Sequence, residues 1–197
     1  MPLAINNGTA LDPQPSVDPA EEIRVLNVPH RPQEGRLWCW AACVDMVLRH
    51  NETVDDMSQC QIVQTKFNDP SHVCAPNPNL RLESCEAIEI APTWRKCGIH
   101  NVVPVNSPIT MKAIKEEIKA KRPIEVGILW DEDEGGGGHA ILIKGWAPTS
   151  PEGLLIDDPL RESSVGESKF GTGRSTFEDL TDALGHGRWR YTWTHLD

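Results

Sequence analysis

The chain has 197 residues and a net charge of −10, from 19 Lys and Arg against 29 Asp and Glu. The basic residues are scattered along it, which argues against a nucleic-acid partner. No run of about 18 apolar residues is present to cross a membrane, and the N-terminus lacks the basic and apolar regions of a Sec-type signal. Such a length supports one domain or two packed lobes, burying about 70% of the unfolded surface. The expectation is a soluble protein, cytoplasmic or secreted by a route without a Sec signal.

Residues 1–22 are rich in Pro, Asn, Asp, Gly and Ser, with almost nothing apolar after Leu11, and read as a disordered tail before a domain over 23–197. An extended run over 23–28 leads through Pro29 and Pro32 to Gln33. From Cys39 to about His50 a helix is apolar nearly all round, broken by Asp45 and Arg49, so it is expected inside a lobe. Ser58 stands as N-cap to a second helix ending near Phe67, and a Pro- and Asn-rich loop follows over 68–84. Pro92 suits the first turn of a third helix reaching Cys97, with Gly98 past its end. Ile109 to Lys121 forms a clearer helix whose Met111, Ile114 and Ile118 share a face, and Pro123 stops it.

Beyond Pro123 the period becomes two. Ile124, Val126, Ile128 and Trp130 alternate, then Ala140, Leu142, Lys144 and Trp146, then Trp189, Tyr191 and Trp193. Helices first and antiparallel strands afterwards describe an α+β domain. Its helical lobe would cover about 33–122, with the central helix buried, packed on an antiparallel β-sheet lobe over about 123–197.

Cys39 opens the buried helix. A helix N-terminus presents unpaired N–H groups and positive dipole, which favour a thiolate and can hold an oxyanion. The turn Glu34-Gly35-Arg36 can bring the Gln33 amide back over this site as a second donor. Buried structural cysteines are also common, so the stretch alone allows a purely packing role. Of the other five cysteines, Cys43 lies one turn beyond Cys39 and reads as a second free thiol. Cys60, Cys74, Cys85 and Cys97 are available for two bridges in any of three connectivities. Zinc is the competing use, but no C-x-x-C pair is present, and neither metal nor cofactor is expected.

A nucleophilic thiol needs a base and a group to orient it. His30, His50, His72, His100, His186 and His195 read as surface or packing residues. His139 follows four glycines, Gly135 to Gly138, and begins a strand, which puts it on rigid backbone beside a loop able to move. Leu154 to Asp158 forms a short strand ending in carboxylates before Pro159, so Asp158, or alternatively Asp157, is placed to accept from His139 Nδ1–H. Asp-Pro is equally a common turn pair.

In this order Gln33 with Cys39-Trp40-Ala41-Ala42, Ser58-Gln59-Cys60, Gly138-His139-Ala140 with Gly145-Trp146, and Ile156-Asp157-Asp158-Pro159 resemble the papain-like cysteine proteases. The likeness is nearest to the bacterial avirulence-effector type and to relatives that cleave double-glycine leaders. It runs from about residue 28 to the C-terminus and closes on Gly187-Arg188-Trp189 with Thr192. The thiol-rich insert over 60–97 is only loosely patterned, and the acidic run Asp131 to Glu134 is not a mark of the family. The resemblance implies a papain-like fold, Cys39 as nucleophile, His139 as base, Asp158 as its orienting partner and Gln33 in the oxyanion hole. The substrate cleft would lie between the lobes, lined by Trp38, Gly137 and Gly138. The implied activity is peptide-bond hydrolysis through a thioester acyl-enzyme, in a protein that acts as a secreted effector or toxin, and the implied partner is a protein or peptide, with no membrane and no nucleic acid. The same triad also performs acyl transfer, deamidation and isopeptide cleavage, and a papain fold can persist as a non-catalytic binding module. Oligomeric state is not encoded in any feature of the sequence.

Overall fold

In this computed structural model the described residues are 22–52, 57–72, 74–149, 152–171 and 173–197. The expected tail over 1–22 lies outside them except for Glu22. Local sequence sets the helix starts. Ser58 accepts from the Gln61 N–H while the Gln61 side chain bonds back, a capping box that opens α2, Gln59–Phe67. Glu86 and Glu89 form the same reciprocal pair at the head of α3, Ala87–Lys96. Thr110 caps α4, Met111–Lys119, through the Ala113 N–H, and Thr176 caps the short α5, Phe177–Thr181, through that of Asp179. α1, Cys39–His50, has Trp38 at its N-cap and no side-chain cap bond.

Pro92 therefore stands inside α3, not in its first turn as expected. The upstream capping box starts the helix five residues earlier, and the proline removes one ladder bond without ending it.

Seven strands among the described residues form a single antiparallel sheet. They are β1 Arg24–Val25, β2 Val103–Val105, β3 Ile124–Trp130, β4 Gly138–Ala147, β5 Gly153–Asp157, β6 Arg174–Thr176 and β7 Gly187–Thr194. The order is β2-β7-β3-β4-β5-β6, and β1 pairs with β4. Two strands from the helical half of the chain, β1 and β2, thus join the sheet. Gly145 makes the β1 pairing possible, because a Cβ there would stand 2.2 Å from the Arg24 carbonyl oxygen.

Both faces of the sheet are covered. Ala140, Leu142 and Trp193 pack with α1, α2 and α3, while Ile141, Ile143, Ile124, Val126, Ile128 and Ile156 pack with Ile114 and Ile118 of α4 and Leu180 of α5. This explains why β4 reads as an almost unbroken apolar run, Ala140-Ile141-Leu142-Ile143, and not as a half-wet strand. Fully buried Trp38, Trp40, Met46 and Leu48 put α1 in the first of these cores, and each such side chain contributes about 1.5–3 kcal/mol.

Of the two expected disulfides one forms, Cys60 to Cys74; Cys85 and Cys97 are free thiols. They flank α3, Cys85 before its N-cap and Cys97 at its C-cap. A ten-residue helix holds them about 15 Å apart, far beyond the reach of a disulfide. No helix among the described residues is long and apolar enough to cross a membrane.

Candidate active site

Cys39 is the first residue of α1 and is partly exposed, whereas Trp40 to Leu48 behind it are buried. The first helical bond runs from the Ala42 N–H to the Trp38 carbonyl, 2.9 Å. The N–H groups of Cys39, Trp40 and Ala41 therefore have no partner within the helix, and no side chain caps them. Cys39 thus stands, partly exposed, at the positive end of a buried helix.

His139 enters from β4. Its Nε2 lies 2.7 Å from Asp158 Oδ1, and Cys39 is near enough to the ring to favour its protonated form. The expectation had Nδ1, not Nε2, on the Asp158 carboxylate. Asp158 stands just past β5, and its carboxylate reaches Nε2 from there. Burial alone would lower the imidazole pKa. Asp158 and Cys39 outweigh that and raise it to about 10. Burial also works against the Asp158 carboxylate, but His139, the Ser168 hydroxyl at 2.5 Å and the Leu160 N–H at 2.9 Å hold it ionised below the usual carboxylate range.

Asp157 has other partners. It is fully buried and accepts from Arg161 Nη2 at 3.1 Å, lies 2.5 Å from His30 Nδ1, and pairs with Lys144. Both carboxylate oxygens are occupied, so among the two candidates it is Asp158 that meets the imidazole. Asp157 instead ties the lead-in segment at His30 to the strands β4 and β5.

Gln33 is buried, 3% exposed, and its side chain curls back on its own turn. Nε2 donates to the carbonyls of Gly35 at 2.9 Å and Arg36 at 3.1 Å, while Oε1 has no protein partner. The backbone around it is fixed from two sides. The Gln33 N–H donates to Pro159 O at 2.8 Å and Ser163 Oγ donates to Gln33 O at 2.9 Å. Gln59 at the head of α2 accepts from the Glu34 N–H and donates to Pro32 O. Trp38 does not line a cleft, as it is 0% exposed with its indole N–H on Glu83 Oε2 at 2.8 Å. Gly137 and Gly138 are exposed at the start of β4, next to His139. Among the described residues no group of three or more His, Cys, Asp or Glu is placed to hold a metal ion.

A family model described as "Papain-like cysteine protease AvrRpt2" matches residues 22–171 of the sequence. The chain belongs to this family. Its fold is also that of a Bacillus anthracis protein described as a C39-like peptidase, at a TM-score of 0.57, 15% identity, and coverage of 88% of this chain and 98% of that one. A slighter likeness links it to interpain A, a cysteine protease of Prevotella intermedia, with a TM-score of 0.40, 13% identity, and coverage of 58% and 46%. None of the curated proteins searched matches it.

Within this papain-like protease several residues around the site were not singled out in the sequence. Trp130 stacks on His139 with ring centroids 6.1 Å apart and on Phe170 at 6.3 Å, and the Lys169 ammonium sits 5.1 Å from the Trp130 ring. Lys169 and His186 both engage Glu134, the last of the four acids of the run Asp131 to Glu134. Ser168 carried no signal, since a serine ten residues past an aspartate has no recognisable spacing. Gln59 did carry one, as part of the family mark, and its two bonds to the Gln33 segment supply the physical reason.

Proposed function

We propose that this papain-like cysteine protease cleaves peptide bonds through Cys39, His139 and Asp158. The observation that carries the reading is His139 held by Asp158 at 2.7 Å through Nε2, with Cys39, the first residue of a buried helix, close enough to act on the same ring. The Cys39 thiolate attacks the carbonyl carbon, and the carbonyl oxygen takes up the charge. The Cys39 N–H meets that oxygen, and Gln33 joins it by releasing the longer of its two bonds, that to the Arg36 carbonyl. Imidazolium His139 protonates the departing amine, leaving a thioester. Water, deprotonated by His139, then hydrolyses the thioester and restores the thiolate. Asp158 keeps the imidazole oriented and favours its charged form throughout. Gly137 and Gly138 would form the wall nearest the substrate backbone, where the absence of a Cβ permits close approach.

Incubating the protein with a proteome-derived peptide library, beside Cys39→Ala, tests this. New N-termini that depend on Cys39 support peptidase action. An unchanged backbone with altered side-chain masses would replace it with acyl transfer or deamidation by the same triad, and no change of any kind would leave a binding module. We further propose a secreted effector or toxin. The family supports this, and the Cys60–Cys74 bridge fits an oxidising destination. Detection of the bridged protein only inside the producing cell would contradict it.

A further inference from the structure

The thiol-rich insert over 60–97 is only loosely patterned in sequence, yet part of it is built against the segment that leads into the nucleophile. Arg81 spans the gap. Its Nε donates to Ala75 O at 2.6 Å, beside the bridged Cys74, its Nη1 donates to Glu34 O at 2.9 Å, and its guanidinium lies 5.1 Å from the Trp38 ring. Glu83 takes the Trp38 indole N–H on Oε2 at 2.8 Å, has His72 Nε2 2.9 Å from Oε1, and offers its backbone carbonyl to the Trp40 indole at 3.2 Å. The Arg36 N–H donates to Pro78 O at 3.3 Å. Gly35 packs so closely that a Cβ there would stand 2.6 Å from the Trp38 ring and 2.7 Å from Arg81 Cβ.

The circuit is closed by the disulfide. Cys60 lies on α2 one residue after Gln59, which grips Pro32 and Glu34, and Cys60 is bridged to Cys74 at the root of the loop. Segment 33–38, which carries Gln33 and ends one residue before Cys39, is thus held by α2 from one side and by the stapled loop from the other.

We infer that Arg81 and Glu83 are positioning residues of the oxyanion site, set in place by the Cys60–Cys74 staple. Neither is hydrogen-bonded to the thiol or the imidazole, so their effect is confined to steps in which charge develops on a carbonyl oxygen. The inference rests on Cys39 and Gln33 acting as proposed above. Displacing a donor by about 1 Å costs on the order of 100-fold in such a step, whereas a step without an oxyanion is indifferent to it.

Two reagents separate these steps without knowledge of the natural substrate. In p-nitrophenyl acetate the Cys39 sulfur bonds to the acetyl carbon, the carbonyl oxygen carries the transient charge, and the C–O bond breaks to release p-nitrophenolate. In iodoacetamide the sulfur bonds to the methylene carbon and iodide leaves, with no charge developing on the carbonyl oxygen. In Arg81→Ala and Glu83→Ala the acylation rate is expected to fall about 10- to 100-fold, with alkylation of Cys39 within about twofold of wild type. Glu83→Gln keeps an acceptor for the Trp38 indole and is expected to retain most of the acylation rate, as is Arg81→Lys in smaller measure. Serine at both Cys60 and Cys74 is expected to reproduce the selective loss. Equal acylation in wild type and both alanine variants would overturn the inference, and so would acylation and alkylation falling together in the alanine and the conservative variants alike. A wild-type protein that neither acylates nor alkylates at Cys39 would instead overturn the proposed function and this inference with it.

Discussion

Asp158 Oδ1 lies 2.7 Å from His139 Nε2, with the two residues 2% and 7% exposed, while Asp157 one residue earlier is turned into a cage made by His30, Lys144 and Arg161. Consecutive side chains leave an extended backbone in opposite directions, so one short strand supplies both a partner for the imidazole and an anchor for the lead-in segment. The two carboxylates should respond differently to the same substitution.

Removing the charge of Asp158 should move the alkaline limit of activity. The fold raises the His139 pKa to about 10, so the imidazolium is present below that value and lost as pH rises through it. In Asp158→Asn the limb should shift down toward the ordinary imidazole value of about 6.5. Rates of peptide cleavage from pH 5 to 11 measure it, and an unmoved limb would separate Asp158 from the base.

Asp157→Asn should act on stability. Its carboxylate is held below the ordinary value of 3.8, despite burial, by His30 and Lys144, so its stabilisation is present above 3.8 and lost as pH falls below that. Breaking a buried pair costs about 3–5 kcal/mol, and the partly exposed partners put this one near the lower end. Denaturant melts at pH 7 and pH 3 should show the variant's deficit shrinking in acid, while the His139 limb stays where it is in wild type.

Glu125 is a buried acid that the mechanism does not use. Burial pushes its pKa up to about 8 although Trp94 Nε1 donates to it at 2.5 Å, and its Oε1 has no partner. The folded state therefore binds this proton more tightly than the unfolded chain, and stability falls as pH rises from about 4.5 to about 8. Glu125→Gln should be near neutral at pH 5 and stabilising by on the order of a few kcal/mol at pH 9. Thermal melts at the two pH values check it, and an equal effect at both would be inconsistent with a buried titrating acid.

Gly35→Ala should impair the protein with no change in any charged group. The added methyl meets the Trp38 ring and Arg81 Cβ inside van der Waals contact, an overpacking cost of about 1–3 kcal/mol. A lower melting temperature together with slower Cys39 acylation is the expected pair of readings.

The helix starts were legible where a local bond makes them. Ser58 announced α2, and the start of α1 at Cys39 followed from the apolar run. Pro92 misled because the Glu86 and Glu89 pair that opens α3 is a capping box with an unusual acidic first member. The order Gln33, Cys39, His139 and Asp158 was readable as a family pattern, but the choice of imidazole nitrogen was not, since it depends on where the end of β5 sits relative to β4. Cysteine pairing depends on separation in space, and nothing local said that α3 would hold Cys85 and Cys97 apart. Trp38 was expected in the cleft from the resemblance. Its burial follows from Arg81 and Glu83, more than forty positions away, which no short-range pattern connects to it.

The central claim is that Cys39 and His139 form a reactive pair. The rate of iodoacetamide alkylation against pH, with peptide mass mapping, in wild type and His139→Ala tests it most directly. Burial pushes the Cys43 thiol well up and those of Cys85 and Cys97 to about 12, so label should collect at Cys39 alone. Rapid labelling that persists below about pH 6 in wild type and is lost in His139→Ala is the expected result. Labelling that rises only near the free-thiol value of about 8.5, identically in both proteins, would contradict the account and leave Cys39 a structural cysteine.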